Sequence, residues 1–385
     1  HNIGPFELGP LEYLYSKNNV EGNRIRIGGR STGELSDRVF VETYLAMGSR
    51  DKELKYFFRG AVALNGKAVT TFPAHYLEGT VQHDILDPGR NINFLKGDSF
   101  FQSIRKNSPK KWLATDAYRL RHVLEFGNHI SVHTGFTHQR RTTIGDLQFV
   151  NSDAEQSLRR HINTNDLELM LRWAPHEKFY YRNLVRNTIK EKYPVFNLQY
   201  NRGLSGFWDA DYSYDALLAS VSKRFFLNQL GFADATVAAG KIWGTLPYTL
   251  LEIPDVDYSR MNSMEFVADE YLKFAFEHQL EGFILNKIPL IKKLKLRELW
   301  GVKMFYGSLR DANNPYLSNQ VVHFDKNEDG STLTHVMGKN PYWEGKIGLD
   351  NIFRVLRVEY IRRLNYTNLN NVDRDSYRLS LHLNF

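Results

Sequence analysis

The chain has 385 residues, 42% hydrophobic and 14% aromatic, with 21 Tyr, 25 Phe and a net charge of +7. It contains no cysteine, which excludes a disulfide scaffold, a thiolate metal site and a cysteine nucleophile. No run of about 18 apolar residues occurs, so no helical membrane span is expected. The opening HNIGPFELGP lacks the basic start and apolar run of a secretory leader, which leaves a cytoplasmic protein or a mature or truncated segment of an exported one.

In chain order, period-two alternation of apolar and polar residues predicts strands at 6–15, 20–31, 38–48, 54–64, 75–86, 115–126, 129–139 and 163–174. The second half gives 193–202, 215–226, 233–244, 266–281, 293–306, 341–350, 353–364 and 375–385. In the fourth run Tyr56, Phe58, Val62 and Leu64 fall on one face, with Lys55 and Arg59 on the other. Pro10 interrupts the first strand, where proline is tolerated only at an edge or a bulge. Helical periodicity is confined to two short candidates, Glu155–Arg160 and Tyr181–Lys190.

The runs number sixteen, an even count, and most have about the 9–11 residues of a tilted membrane strand. Connections at 32–37, 127–128, 227–232 and 350–353 are short, whereas 87–114, 140–162, 203–214, 245–265 and 307–340 are long. The connections 175–192 and 282–292 are longer than their side of the pattern favours. Charges at mid-strand suit a wet interior, the aromatic excess suits interfacial girdles, and no internal repeat supports a solenoid. The expected fold is therefore all-β: a single transmembrane antiparallel β-barrel over 1–385 of about sixteen strands, with long extracellular loops and shorter periplasmic turns. It would lie in the outer membrane of a Gram-negative bacterium, both termini periplasmic.

The phrases NNVEGNRIRIGGRST (18–32), YPVFNLQYNRG (193–203), GKIWGTLPYTLLE (240–252), IPLIKKLKLRE (288–298) and YWEGKIGLDNIF (342–353) resemble an uncharacterised outer-membrane family of Bacteroidetes. The resemblance implies a carboxypeptidase-regulatory-like sandwich before the barrel, absent from this chain, so that His1 is not the native start. It also implies a distant relation to the sixteen-stranded barrels of the outer-membrane assembly and secretion superfamily. Those carry an Arg-Gly-Phe/Tyr motif in the sixth outer loop. The corresponding segment here, TLPYTLLEIPDVDYSR (245–260), has none, so neither insertase activity nor any functional residue carries over.

Candidate sites are few. DKNEDG (325–330) opens like a calcium loop, with Asp325, Asn327 and Asp329 as ligands and Gly330 at the turn, but Val336 stands where the bidentate glutamate belongs. An acidic turn is the simpler reading; no cofactor is expected, calcium being the one candidate. Gly97, Asp98 and Ser99 resemble the start of a GDS-type lipase but sit inside a long loop, without the strand-to-helix turn such a serine needs. His129 and His133 share a predicted strand face about 13 Å apart, too far for one metal ion, while His138 faces the other way and His161 follows in a loop. Arg24, Arg26, Arg59, Arg119, Arg121, Arg172, Arg297, Arg357 and Arg378 fall on predicted lumen faces. They form either a network paired with Glu125, Glu168, Glu277 and Glu359 or an anion-attracting channel.

The carboxyl-terminal run DSYRLSLHLNF places Tyr377, Leu379, Leu381, Leu383 and Phe385 on one face. A terminal aromatic after such a strand resembles the signal read by outer-membrane assembly machinery. The expected function is a non-catalytic structural or assembly/transport component working with envelope partners, in contact with outer-membrane lipid and lipopolysaccharide. A pore for small anionic solutes and an outer-membrane hydrolase are the alternatives. No basic run with interleaved aromatics supports nucleic-acid binding.

Overall fold

The computed structural model describes residues 2–9, 14–18, 20–86, 111–145, 147–150, 158–182, 184–190, 192–324, 326, 330, 332–369 and 372–381. It is all-β, with one antiparallel sheet of eighteen strand segments. Each long strand pairs with its sequence neighbours. Gly22–Ser31 is followed by Val39–Gly48, Leu54–Ala63, His75–Leu86, Lys111–Glu125, Ile130–Gly145 and His161–Trp173. The ladder continues through Val195–Gly203, Tyr214–Phe226, Phe232–Trp243, Glu270–Gln279, Arg297–Ser308, Tyr342–Ile352, Leu356–Arg363 and Asp375–Leu381. Near the amino end, Phe6–Leu8 and Tyr15–Asn18 both pair with Gly22–Ser31, one at each end of it. They are two parts of one interrupted edge, and Asn2–Ile3 folds back on the first of them.

The two sides of this sheet are inverted relative to a soluble protein. On one side large apolar residues stand exposed: Ile25, Ile27, Phe58, Leu120, Leu169, Val237, Ile347 and Leu379. On the other side polar residues are covered, with Lys55, Glu78, Glu168, Glu344, Glu359 and Arg363 all buried. Alternation along each strand produces this directly, because successive side chains leave a strand on opposite faces.

Short 3-10 turns are the only helical elements among the described residues, and no helix is long and apolar enough to cross a membrane. The second helix candidate, Tyr181–Lys190, is instead part of a hairpin in which Lys178–Arg182 pairs with Val185–Ile189. Of the first, Leu158–Arg159 pairs with Phe149–Val150 as strand, and 155–157 lie outside the described residues. The hairpin packs across several strands: Leu184 joins Phe40, Ala61 and Val69 in one apolar cluster, and Arg186 pairs with Glu125 at 2.5 Å.

The principal apolar core lies at the opposite end, in the loops. Leu246, Tyr248, Leu251, Ile253, Met264 and Val267 from the segment 244–269 pack with Leu147, Phe149, Val322 and Phe324 from two other loops. Leu113 and Ile162, on strands five and three ladder steps from Phe232–Trp243, after which the segment begins, join the same cluster. The connecting loops therefore meet over the polar side of the sheet.

Candidate functional site

The segment GTLPYTLLEIPDVDYSRMNSMEFVAD (244–269) folds onto the polar face. Pro254 stands in the first turn of the 3-10 stretch Pro254–Asp257, and a second 3-10 stretch, Tyr248–Leu250, follows Pro247. An antiparallel bridge between Glu252 and Ala268 closes the segment on itself, and a parallel bridge from Phe266 to His335 ties it to the next loop. Gly244 begins it at φ +125°, where a Cβ would meet Ser213 O and Tyr214 Cβ at 3.0 Å. That backbone is open to glycine and strained for other residues.

Its base is fastened by Asp269, which is fully buried. Arg310 Nε donates to that carboxylate at 2.9 Å and Asn313 Nδ2 at 2.8 Å, while Arg310 Nη2 also reaches the carbonyls of Ile242 and Gly244. Its tip is held by Glu344, whose carboxylate accepts the amides of Ser259 at 2.9 Å and Arg260 at 2.6 Å and the Tyr342 hydroxyl at 2.7 Å. Tyr258 donates to the Met304 carbonyl at 2.6 Å, and Arg378 donates to the Ser259 hydroxyl. Burial, with Asp257 and Glu344 nearby, pushes the Tyr258 phenol well above its ordinary value.

Charge complementarity runs along the whole segment. It carries Glu252, Asp255, Asp257, Glu265 and Asp269 against a single cation, Arg260. The wall beneath supplies Lys273, 2.5 Å from Glu252 and 2.6 Å from Asp257, and Lys303, which donates to the Asp257 carbonyl. Arg363 grips Glu265 through both carboxylate oxygens. A small cavity remains under the tip, lined by Ser259, Lys303, Glu344, Lys346 and Arg378.

The arginines singled out from the sequence are spread around the sheet. Arg24 pairs with Asp84 and Glu21, Arg59 with Glu78 and Glu42, and Arg121 with Glu168. Arg172 pairs with Glu177, and Arg297 with Glu281. Arg26 stacks on Tyr44, and Arg119 donates to Thr137. Arg357 and Arg378 meet at Glu359, together with Lys346 and Glu277. Glu125 serves Arg186 of the hairpin, so its partner is not one of the nine.

His129 lies in the turn before the strand Ile130–Gly145, at φ +64°, stacked on Phe72, so it does not share a strand face with His133. His138 bonds Asn165, and His161 contacts Arg140. Asp325, Asn327, Asp329, Gly97, Asp98, Ser99, Leu383 and Phe385 lie outside the described residues; Tyr377 and Leu379 are exposed on the apolar side, and Leu381 ends the last strand.

A family model described as "Family of unknown function (DUF5686) C-terminal domain" matches residues 7–267 and 257–318. The chain belongs to that family. Among solved structures it is similar to the crystal structure of BamA from Haemophilus ducreyi lacking POTRA domains 1–3. The TM-score is 0.54 at 10% identity, covering 99% of this chain and 71% of the other. At that identity the likeness is one of fold alone. No curated protein matches the chain.

The anchors Glu344, Arg363, Lys273 and Lys303 went unnoticed in the sequence, although a signal for them exists. Each has the polar-side parity of its strand, and the one loop they face is strongly acidic. The missing Arg-Gly-Phe/Tyr motif does not keep this loop off the wall, because Glu344 binds backbone amides that any sequence supplies.

Proposed function

We propose that the chain is an outer-membrane β-barrel, closed by the first and last strands, and that it serves as a non-catalytic assembly or transport component with envelope partners. One observation carries the membrane reading: exposed Ile, Leu, Phe and Val on one face of nearly every strand, opposite buried Lys, Glu and Arg. A soluble monomer rarely exposes contiguous apolar patches beyond a few hundred Å². Hydrocarbon takes such a band, and a wet interior takes the charges. With Phe6–Leu8 and Tyr15–Asn18 as one strand, the ladder is sixteen strands wide, an even number that lets its two edges meet antiparallel. The long loops then lie outside and both termini in the periplasm.

The fold likeness to BamA and the wall-anchored loop 244–269 support an assembly-type role over a porin-type one. The loops packed across the polar face support this reading over a pore for small anions, which needs an open path.

Closure is testable because the chain has no cysteine of its own. A cysteine at Ser16, paired in turn with one at Ser376, Arg378 or Ser380, is expected to form an intramolecular disulfide in at least one register. No crosslink in any register of the heat-modifiable, membrane-inserted protein would reject closure. For the role itself, depletion is expected to lower the level of other folded outer-membrane proteins, with partners recovered after gentle solubilisation. Normal levels with no partner would count against it.

A further inference from the structure

The connection between Glu270–Gln279 and Arg297–Ser308 carries FILNKIPLIKKLKLR (283–297). It forms two 3-10 turns, Leu285–Lys287 and Ile291–Leu294. Ile284, Leu294 and above all Leu290, 79% exposed, project from it, and Lys287, Lys292, Lys293 and Lys295 are exposed between them. The elbow folds toward the apolar side of the sheet: the Leu285 amide donates to Glu298, which has the strand parity of the exposed Trp300.

A second turn joins it. Asn351 Nδ2 donates to the Lys295 carbonyl at 2.7 Å, which sets the tight turn after Ile352 against the elbow. That turn presents Phe353, 83% exposed, beside Arg354, both at positive φ. Acidic balance is slight. Glu281 is engaged by Arg297 and Asp350 is buried, and among the described residues no carboxylate pairs with Lys292, Lys293 or Lys295.

Lys287 lies over the Phe283 ring at 3.8 Å, and apolar tips interleaved with ammonium groups that no carboxylate neutralises among the described residues suit neither bulk water nor hydrocarbon. They suit the boundary, where acyl chains meet acidic phosphate groups and lysine stems extend along the apolar surface to reach them. The band of half-buried Phe276 with exposed Trp300 and Ile347 on the adjoining strands runs into the patch, so the surface continues the face read above as lipid-covered.

We propose that this elbow, with Phe353 and Arg354, seats anionic phospholipid of the leaflet at this end of the barrel. The four lysines hold the headgroup phosphates, and Leu290 and Phe353 pack against acyl chain. The proposal rests on the membrane reading, and its test separates the two. Wild-type protein is inserted into nanodiscs of phosphatidylcholine with a minor fraction of phosphatidylglycerol, extracted in mild detergent, and the retained lipid is counted by native mass spectrometry.

Retained phosphatidylglycerol is expected to exceed its bulk share about threefold or more, and less so at high salt. Joint substitution Lys287→Gln, Lys292→Gln, Lys293→Gln and Lys295→Gln is expected to return the ratio to bulk, while the four corresponding arginine substitutions keep it. Heat-modifiable mobility reports that each variant is folded. Inserted wild type without enrichment, or a glutamine variant that keeps it, overturns the proposal. Loss of enrichment on adding inorganic phosphate at constant ionic strength reassigns the site to free phosphate and overturns it also. Wild type that enters no nanodisc of either composition overturns the membrane reading instead.

Discussion

Arg363 and Glu265, 98 residues apart, form a two-point ion pair, with Nη1 to Oε2 at 2.9 Å and Nη2 to Oε1 at 2.5 Å. Their side chains are 0% and 3% exposed. The guanidinium also donates to the carbonyls of Arg260, Asn365 and Tyr366, so it ties the loop 244–269, the last-but-one strand and the connection after it together. Removing one partner of a buried pair strands the other charge, at a cost of about 3–5 kcal/mol. Glu265→Ala and Arg363→Ala are each expected to lower the thermal midpoint for loss of the compact form in semi-native electrophoresis. The double variant Glu265→Met/Arg363→Met is expected to recover most of that loss, because no unpaired charge remains. Strictly additive effects would show that the two do not act as a pair.

Glu344 fixes the loop tip through two backbone amides, and Glu344→Ala leaves both without their acceptor. Each charge-assisted bond is worth about 1.5–3 kcal/mol, enough to shift a local opening equilibrium tenfold or more. Trypsin is expected to cut at Arg260 at least about tenfold faster in this variant, the strands remaining intact. An unchanged cleavage rate would mean that Tyr258 and the Arg363 pair hold the tip without Glu344.

The loop core that joins 244–269 to Phe149, Val322 and Phe324 also bears on conduction. Reconstituted in a planar bilayer, the intact protein is expected to show no sustained open channel. Replacing residues 246–266 by a short Gly-Ser linker removes six of the thirteen buried residues of that core, and conductance is expected to appear with anion preference, since Arg119 and Arg141 on the polar wall bond only neutral side chains among the described residues. Steady conductance from the intact protein would favour the pore reading.

The strands were legible because their signal is local and repeated. Leu54–Ala63 matches the predicted 54–64 closely, since Tyr56, Phe58 and Val62 need only adjacent residues to declare a face. The hairpin 178–189 was not legible. Tyr181, Leu184, Val185 and Thr188 have helical spacing, and the competing reason to be strand lies far away in sequence, in Phe40, Ala61 and Glu125. The site was hidden for the same reason. That Glu344 and Arg363 face inward follows from parity, but that a loop some 80 to 100 residues earlier comes down to meet them is a tertiary fact. Only the excess of acid in 244–269 over a basic wall foreshadowed it.

Tyr258 gives the loop a pH limit. Its phenol is raised in the folded protein by burial first and by neighbouring carboxylates second. Between the ordinary tyrosine value, about 10, and the raised folded value, the open loop releases a proton that the closed loop retains. Closed-loop stability is therefore full below pH 10 and falls as pH rises through that window. Trypsin cleavage at Arg260 is expected to accelerate above about pH 10 relative to a surface site in the same protein. Tyr258→Phe loses the bond to the Met304 carbonyl, so its loop opens more readily at neutral pH by about tenfold or less. The same variant has no proton to release there, so its relative cleavage rate is expected to stay flat across the alkaline range. An equal alkaline rise in both proteins would place the titrating group elsewhere.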